Sequence, residues 1–222
     1  MRQIPLPIAG FEAAAFDNFL PGANASAIAH LQSLGTQAAP VYLWGSSGSG
    51  KTHLMRALVH RIEAQGLRAG WFSARDAAPW PSDDAWALIA IDGCDALDAD
   101  QQHAAFTLFV EAATRSVPVV ATGRVPPVDL AVREDLRTRL GWGHVFAIQP
   151  LSEPEARAAL RREADRRALF FSDDVMDYLL TRFARDLKHL MALLDRLDQF
   201  SLATKRAITV PLLKQMLAEE RG

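Results

Sequence analysis

One cysteine, Cys94, stands in a chain of 222 residues. A single thiol cannot form an intrachain disulfide, and such sparse usage fits a reducing compartment. An excess of one charge is also missing, because 24 Lys and Arg face 26 Asp and Glu for a net charge of −2. That balance supplies no broad positive field for non-specific nucleic-acid binding, although a local basic patch stays open. No apolar run approaches the ~20 residues that span a bilayer. Residues 4 to 16 do not make a signal peptide either, since Pro5, Pro7 and Glu12 interrupt them and only Arg2 supplies side-chain charge ahead. The chain therefore reads as cytoplasmic, with no membrane partner. Six histidines are scattered without an H-E-x-x-H motif or a Cys/His cluster, so no metal other than Mg²⁺ is expected. Internal repeats and low-complexity segments are absent too.

Half of the residues are hydrophobic, enough for one α/β domain and a small second one. Short apolar runs recur at Val41–Trp44, Ala69–Phe72, Leu88–Ile91, Val117–Ala121 and Val145–Ile148. They are continuous rather than alternating, the pattern of strands covered on both faces. Helix-like stretches such as Thr52–Ala64 and Asp100–Arg115 lie between them, which predicts a parallel five-stranded sheet with right-handed crossovers. The segment 79–84 reads as a loop. After Pro150 the strands stop. Ser152-Glu153-Pro154-Glu155 is a capping box that starts a helix running to about Ala168. Ser172-Asp173-Asp174 caps a second helix, residues 186–202 form a third, and Thr209-Val210-Pro211 opens a fourth. The expected organisation is an extended peptide over 1–10, an α/β nucleotide-binding domain over 11–150 and a helical domain over 151–222.

Gly45-Ser46-Ser47-Gly48-Ser49-Gly50-Lys51-Thr52 fits G-x-x-x-x-G-K-[ST], after an expected strand and opening an expected helix. Glycines let the backbone curl so that N–H groups converge on phosphate oxygens, and the helix N-terminus adds its positive end. Lys51 is placed to reach the β- and γ-phosphates of ADP or ATP, and the Thr52 hydroxyl to ligate Mg²⁺. Leu88-Ile89-Ala90-Ile91-Asp92 is the matching acidic strand, whose aspartate can hold Mg²⁺ through water. Many ATPases of this type carry a second carboxylate next, to orient the attacking water, whereas this chain has Gly93. Asp95 is the nearest substitute, so intrinsic hydrolysis is expected to be weak. Cys94 is expected to pack in the core. Leu187, Leu190, Met191, Leu194 and Leu197 mark a helix core stripe.

Four further stretches carry a resemblance. Residues 16–24 (FDNFLPGAN), Ala121-Thr122-Gly123-Arg124-Val125-Pro126-Pro127, Asp135-Leu136-Arg137-Thr138-Arg139-Leu140-Gly141-Trp142-Gly143 and Arg185-Asp186-Leu187-Lys188 are similar to segments of the DnaA/Hda family of AAA+ proteins. The resemblance covers most of residues 11 to 218. It implies a P-loop AAA+ module followed by a small all-α lid. It also implies that Phe19 and Leu20 help enclose the adenine, that Arg185 on the lid reaches the phosphates, and that Arg139 is an arginine finger acting in trans. Arg137 is the nearest competitor for that role. Arg124 departs from the polar or acidic residue expected at its position.

No residues remain after the lid for a helix-turn-helix domain, so direct sequence-specific DNA binding is not expected. A short N-terminal peptide with Gln3, Ile4, Leu6 and Ile8 ahead of such a module resembles a sliding-clamp docking ligand, its prolines limiting the entropy lost on binding. Together these imply a negative regulator of replication initiation. Its partners would be the DNA polymerase III β sliding clamp and the DnaA initiator, whose ATP would be hydrolysed to leave inactive DnaA-ADP. The competing expectations are an autonomous AAA+ ATPase such as a DnaC-like helicase loader, a small P-loop kinase, and an adaptor in which Arg139 has no role. Homo-oligomerisation is left open by the sequence.

Overall fold

The computed structural model describes residues 14–35, 39–183 and 187–219. Of these, one compact unit comprises 14–19, 26–44 and 50–147, and a second comprises 20–25, 45–49 and those from Ile148 onward.

In chain order the first unit carries helix α1 (Ala25–Gln32), β1 (Val41–Trp44), α2 (Lys51–Ala64), β2 (Arg68–Ser73), β3 (Trp86–Asp92), α3 (Ala99–Arg115), β4 (Val119–Gly123), α4 (Glu134–Gly141) and β5 (His144–Ala147). The strands form one sheet in the order β2-β3-β4-β1-β5, and every pairing is parallel. The order places β1, β3 and β4 inside the sheet. Leu43, Leu88, Ile89, Ile91, Val120 and Ala121 are accordingly buried. Pro118 keeps β4 from starting at Val117, since a proline has no N–H for the ladder, although its carbonyl accepts from Ile89 N at 3.0 Å. β5 departs from the expected full burial. It lies at an edge, paired only with β1, and leaves His144, Val145 and Ala147 exposed.

Trp80 and Trp86 have a structural role in this unit. Trp80 stacks on Phe72 with centroids 4.9 Å apart and donates from Nε1 to Asp76 O at 3.0 Å. Trp86 meets Phe72 edge-on at 5.5 Å. Such pairs add ~0.5–1.5 kcal/mol beyond area burial. Cys94 is fully buried, as expected, and burial pushes its thiol pKa up to about 12.

The second unit holds α5 (Glu153–Arg166), α6 (Asp173–Arg182), α7 (Leu187–Thr204) and α8 (Val210–Glu219). At the start of α5, Ser152 donates from both N and Oγ to Glu155 Oε2, at 2.8 and 2.6 Å. The helix ends at Arg166, two residues before the expected Ala168, which adopts a left-handed φ of 53°. Arg167 closes that end through Glu163 and Asp195. Leu160, Val175, Leu179, Leu190, Leu194, Leu197 and Leu213 form the core of the unit. Of the expected helix α7 stripe, Leu190, Leu194 and Leu197 are core, Met191 packs against them half-buried, and Leu187 is half-buried outside the cluster. Buried Asn24 joins the short segment 20–25 to this unit: it donates from Nδ2 to Gln149 O at 2.9 Å and accepts from Gln149 N at 2.8 Å. Among the described residues no helix is long and apolar enough to cross a membrane.

Candidate functional site

The loop 45–49 connects β1 to α2. Gly45 and Gly48 adopt φ of 154° and 77°, and Ser49 N donates to Ser46 O at 3.3 Å, so the backbone curls. Gly50 at the start of α2 has φ 98°, and a Cβ there would come within 2.5 Å of the Phe19 ring. Any side chain at Gly50 would therefore be strained twice, by backbone conformation and by the Phe19 ring. Phe19 also meets His53 at 5.5 Å between centroids. Leu20 is half-buried in the other unit.

Residues 14–16 ahead of Phe19 are held along α2. His53 Nε2 lies 3.0 Å from Ala15 O, His60 Nδ1 lies 2.8 Å from Ala14 O, and Arg61 stands over the Phe16 ring at 5.6 Å. A carbonyl only accepts, so these contacts fix the N–H on His53 Nε2 and His60 Nδ1. Arg61 also donates to Gln32 O and Leu31 O at the end of α1. No motif marks this bracket, whose residues are spread over more than forty positions.

The carboxylate cluster sits where β3 and β4 end, beside the first turn of α2. Thr52 Oγ1 donates toward both Asp92 oxygens at 3.0 Å. Thr122 Oγ1 donates to Asp92 Oδ1 at 2.6 Å and accepts from Gly93 N at 2.9 Å. Gly93 itself has φ 74° and brings no side chain to the cluster. Asp95 is engaged by a single residue: Arg124 N donates to Oδ1 at 2.9 Å and Arg124 Nε to Oδ2 at 2.5 Å. Every oxygen of Asp92 and Asp95 thus accepts a hydrogen bond. Burial lowers the Lys51 pKa, and Asp95 and Asp92 oppose that shift while Arg124 reinforces it. The ammonium of Lys51 therefore shares one electrostatic environment with both carboxylates and with Arg124. Open α/β sheets bind ligands at such strand ends. Thr52 and Asp92 fit a hard divalent cation, which takes a few protein oxygens and completes its shell with water and phosphate.

Tyr42 of β1 fixes the turn that presents Arg124. It is fully buried, its hydroxyl donates to Val125 O at 3.0 Å, and a Cβ on Gly123 would lie 1.8 Å from that hydroxyl oxygen. Gly123→Ala is expected to displace the Tyr42 hydroxyl and cost ~1–3 kcal/mol, the usual penalty of overpacking; the midpoint of urea unfolding reads it. An unchanged midpoint would mean that the turn accommodates the methyl group.

Arg139 lies in the last turn of α4 and lines a cavity of about 380 Å³ with Phe106, Asp135, Thr138 and Trp142. Asp135, one turn earlier, pairs with Arg133 instead, Nη2 to Oδ2 at 2.6 Å, which holds its carboxyl below the usual range. Neither the Arg137 nor the Arg139 guanidinium forms a hydrogen bond or ion pair with a described residue. Trp142 beside the cavity is 69% exposed. The structure thus brings together Lys51, Thr52 and Asp92 in one cluster and places Arg139 on a separate helix. Arg185, Gln3, Ile4, Leu6 and Ile8 lie outside the described residues.

Residues 153–217 match the family model for the Hda lid domain, and residues 12–72 match that for the bacterial DnaA ATPase domain. Among solved structures, domain III of the replication initiation protein DnaA from Thermotoga maritima is 17% identical. It covers 93% of this chain and 96% of its own, with a TM-score of 0.77. AMPPCP-bound DnaA from Aquifex aeolicus is 20% identical over 94% of this chain and 69% of its own, with a TM-score of 0.73. The Thermotoga maritima RuvB Holliday junction branch migration motor is 14% identical over 92% and 71%, with a TM-score of 0.68. At these identities the structures show the fold, a P-loop AAA+ module with a parallel five-stranded sheet and a helical lid. The two family models together span more than half of the sequence, and the chain belongs to the DnaA/Hda family of AAA+ proteins.

Proposed function

We propose that this protein is a nucleotide-bound negative regulator of replication initiation that acts on the nucleotide of a partner rather than on its own. In this reading the N-terminal peptide 1–10 docks on the DNA-loaded sliding clamp, and the module over 11–150 with its lid over 151–222 binds ADP or ATP. Arg139 completes the active site of ATP-bound DnaA, leaving DnaA-ADP. The match to the lid of Hda supports the branch of the family. The observation that carries the reading is the contrast between two sites. The chain's own carboxylates at the nucleotide site are all engaged by its own donors, while Arg139, lining a cavity, has no described ion-pair partner.

Each residue has a physical task. The loop 45–50 offers backbone N–H groups to phosphate oxygens, Lys51 adds a positive charge, and Phe19 walls the start of α2. Thr52 and Asp92 would hold Mg²⁺, which neutralises phosphate charge when bound. Arg185 would approach the phosphates from the lid. In trans, the planar fork of Arg139 offers charge and two parallel donors to a developing phosphoryl anion.

The test is loss of labelled ATP pre-bound to DnaA when this protein, DNA-loaded clamp and DNA are added. DnaA-ADP is expected to accumulate with the intact chain and not when residues 1 to 8 are removed. If DnaA-ATP persists while the protein turns over free ATP unaided, the autonomous motor replaces this reading.

A further inference from the structure

We propose that Arg124 is a latch that keeps this protein from hydrolysing its own nucleotide, by engaging the Asp95 carboxylate, which could otherwise orient a water. The inference rests on the reading of the strand-end cluster as a nucleotide site. Hydrolysis needs an oxygen acceptor beside the terminal phosphate, commonly a carboxylate following the metal-binding aspartate, and that position is Gly93. Asp92 is committed to the Thr52 and Thr122 hydroxyls. Asp95 is the other acid of this cluster among the described residues. It follows β3 by three residues in a short 3-10 turn (Cys94–Ala96), its side chain is only 15% exposed, and it acts electrostatically on Lys51.

Arg124 reaches Asp95 from the next strand of the sheet. β4 is the neighbour of β3, and Arg124 is the first residue beyond its end. Its backbone N–H holds Oδ1 at 2.9 Å and its Nε holds Oδ2 at 2.5 Å. The two contacts do different things. The backbone bond survives replacement by any residue with an N–H and keeps the carboxylate in place, whereas the guanidinium bond belongs to the side chain alone and competes for Oδ2. A water must compete at Oδ2 with a charged donor, and charge-assisted hydrogen bonds are about twice as strong as neutral ones, so the guanidinium lowers both the access and the basicity of that oxygen. Arg124 is 67% exposed, so its pairing with Asp95 contributes little to folding. Tyr42 and Gly123 hold the turn beneath it, which fixes the reach of the latch.

Removing the side chain frees Oδ2 while Oδ1 stays anchored. Asp95 can then accept a proton from a water whose oxygen bonds to the γ-phosphorus. The bond from that phosphorus to the bridging oxygen breaks, its electron pair leaves with ADP, and the proton passes on to the released phosphate. A positioned general base contributes ~10²–10⁴ in rate, so a rise of about 100-fold is expected.

The test compares wild type, Arg124→Ala, Arg124→Lys and the double variant Arg124→Ala/Asp95→Asn. It measures single-turnover hydrolysis of ATP and equilibrium binding of a fluorescent ADP analogue. Arg124→Ala is expected to hydrolyse ATP about 100-fold faster, the double variant to fall back to the wild-type rate, and all four to bind the analogue within about twofold. Arg124→Lys, a single point charge that can still pair with Asp95, is expected to remain slow. Two results overturn the latch. One is weaker binding by Arg124→Ala without faster turnover, which makes Arg124 a phosphate ligand. The other is no change in either measurement, which makes the pair a surface ion pair. Failure of wild-type protein to bind the analogue would instead remove the nucleotide-site reading, and is scored separately.

Discussion

Replacing Arg139 with alanine is expected to slow the stimulated hydrolysis of DnaA-bound ATP by about 10³-fold or more, the range measured for arginine fingers, while the protein's own nucleotide affinity stays unchanged. The size follows from where the charge acts. A guanidinium in a water-poor interface stabilises negative charge that grows only in the transition state, so its loss appears in the rate. The geometry of α4 makes Arg139 available for such a role. Asp135, the carboxylate one turn earlier, is held by Arg133, and the Arg139 guanidinium makes no ion pair with a described residue. Arg139→Lys should recover only a small part of the rate, because an ammonium lacks the planar fork. Arg137→Ala, on the same helix, should cost far less. Measured association of each variant with clamp and DnaA separates a finger from an adaptor. An adaptor predicts that Arg139→Ala leaves stimulation intact whenever binding is intact.

Lys51→Ala is the second large effect, and it falls on the other site. A charge-assisted contact to phosphate contributes ~1.5–3 kcal/mol, so affinity for ADP and ATP should drop roughly 10- to 100-fold. Burial already weakens the hold of Lys51 on its proton, while Asp92 and Asp95 counter that shift. Without the ammonium, Asp95 stays paired with Arg124 and Asp92 with the Thr52 and Thr122 hydroxyls, so the effect stays within this range. Equilibrium titration with a fluorescent ADP analogue reads it, with urea unfolding as a control for folding. Full affinity in Lys51→Ala would place the nucleotide elsewhere. If bound nucleotide is a structural requirement, stimulation of DnaA should fall in parallel with occupancy and recover at saturating ADP.

Much of this architecture could be read locally. Val41–Trp44 and Leu88–Ile91 are continuous apolar runs next to a glycine-rich turn and an aspartate, and both became strands buried on two faces. Helix starts at Ser152 and Ser172 were legible from residues within four positions, although the Ser172 side chain makes no capping hydrogen bond. Features that depend on which strands are neighbours were not legible. Asp95 and Arg124 are separated by 29 positions, and their pairing follows from β3 lying beside β4. The exposure of β5 likewise comes from its edge position, which its apolar sequence conceals. Thr122 had only a faint signal, a polar residue after the run Val119–Ala121, yet it is 1% exposed and binds the key aspartate. Asn24 was visible in the segment 16–24, but its reciprocal bonds to Gln149 span 125 positions.

In the proposed role this protein drives hydrolysis of a partner's nucleotide and keeps its own. The direct measurement loads DnaA with ATP carrying one label and this protein with ATP carrying another, adds DNA-loaded clamp, and follows which label appears in ADP. The DnaA label is expected to convert within the reaction while the protein's own label stays as ATP, and Arg139→Ala is expected to stop the conversion. Conversion of the protein's own label, with the DnaA label unchanged, would contradict that role.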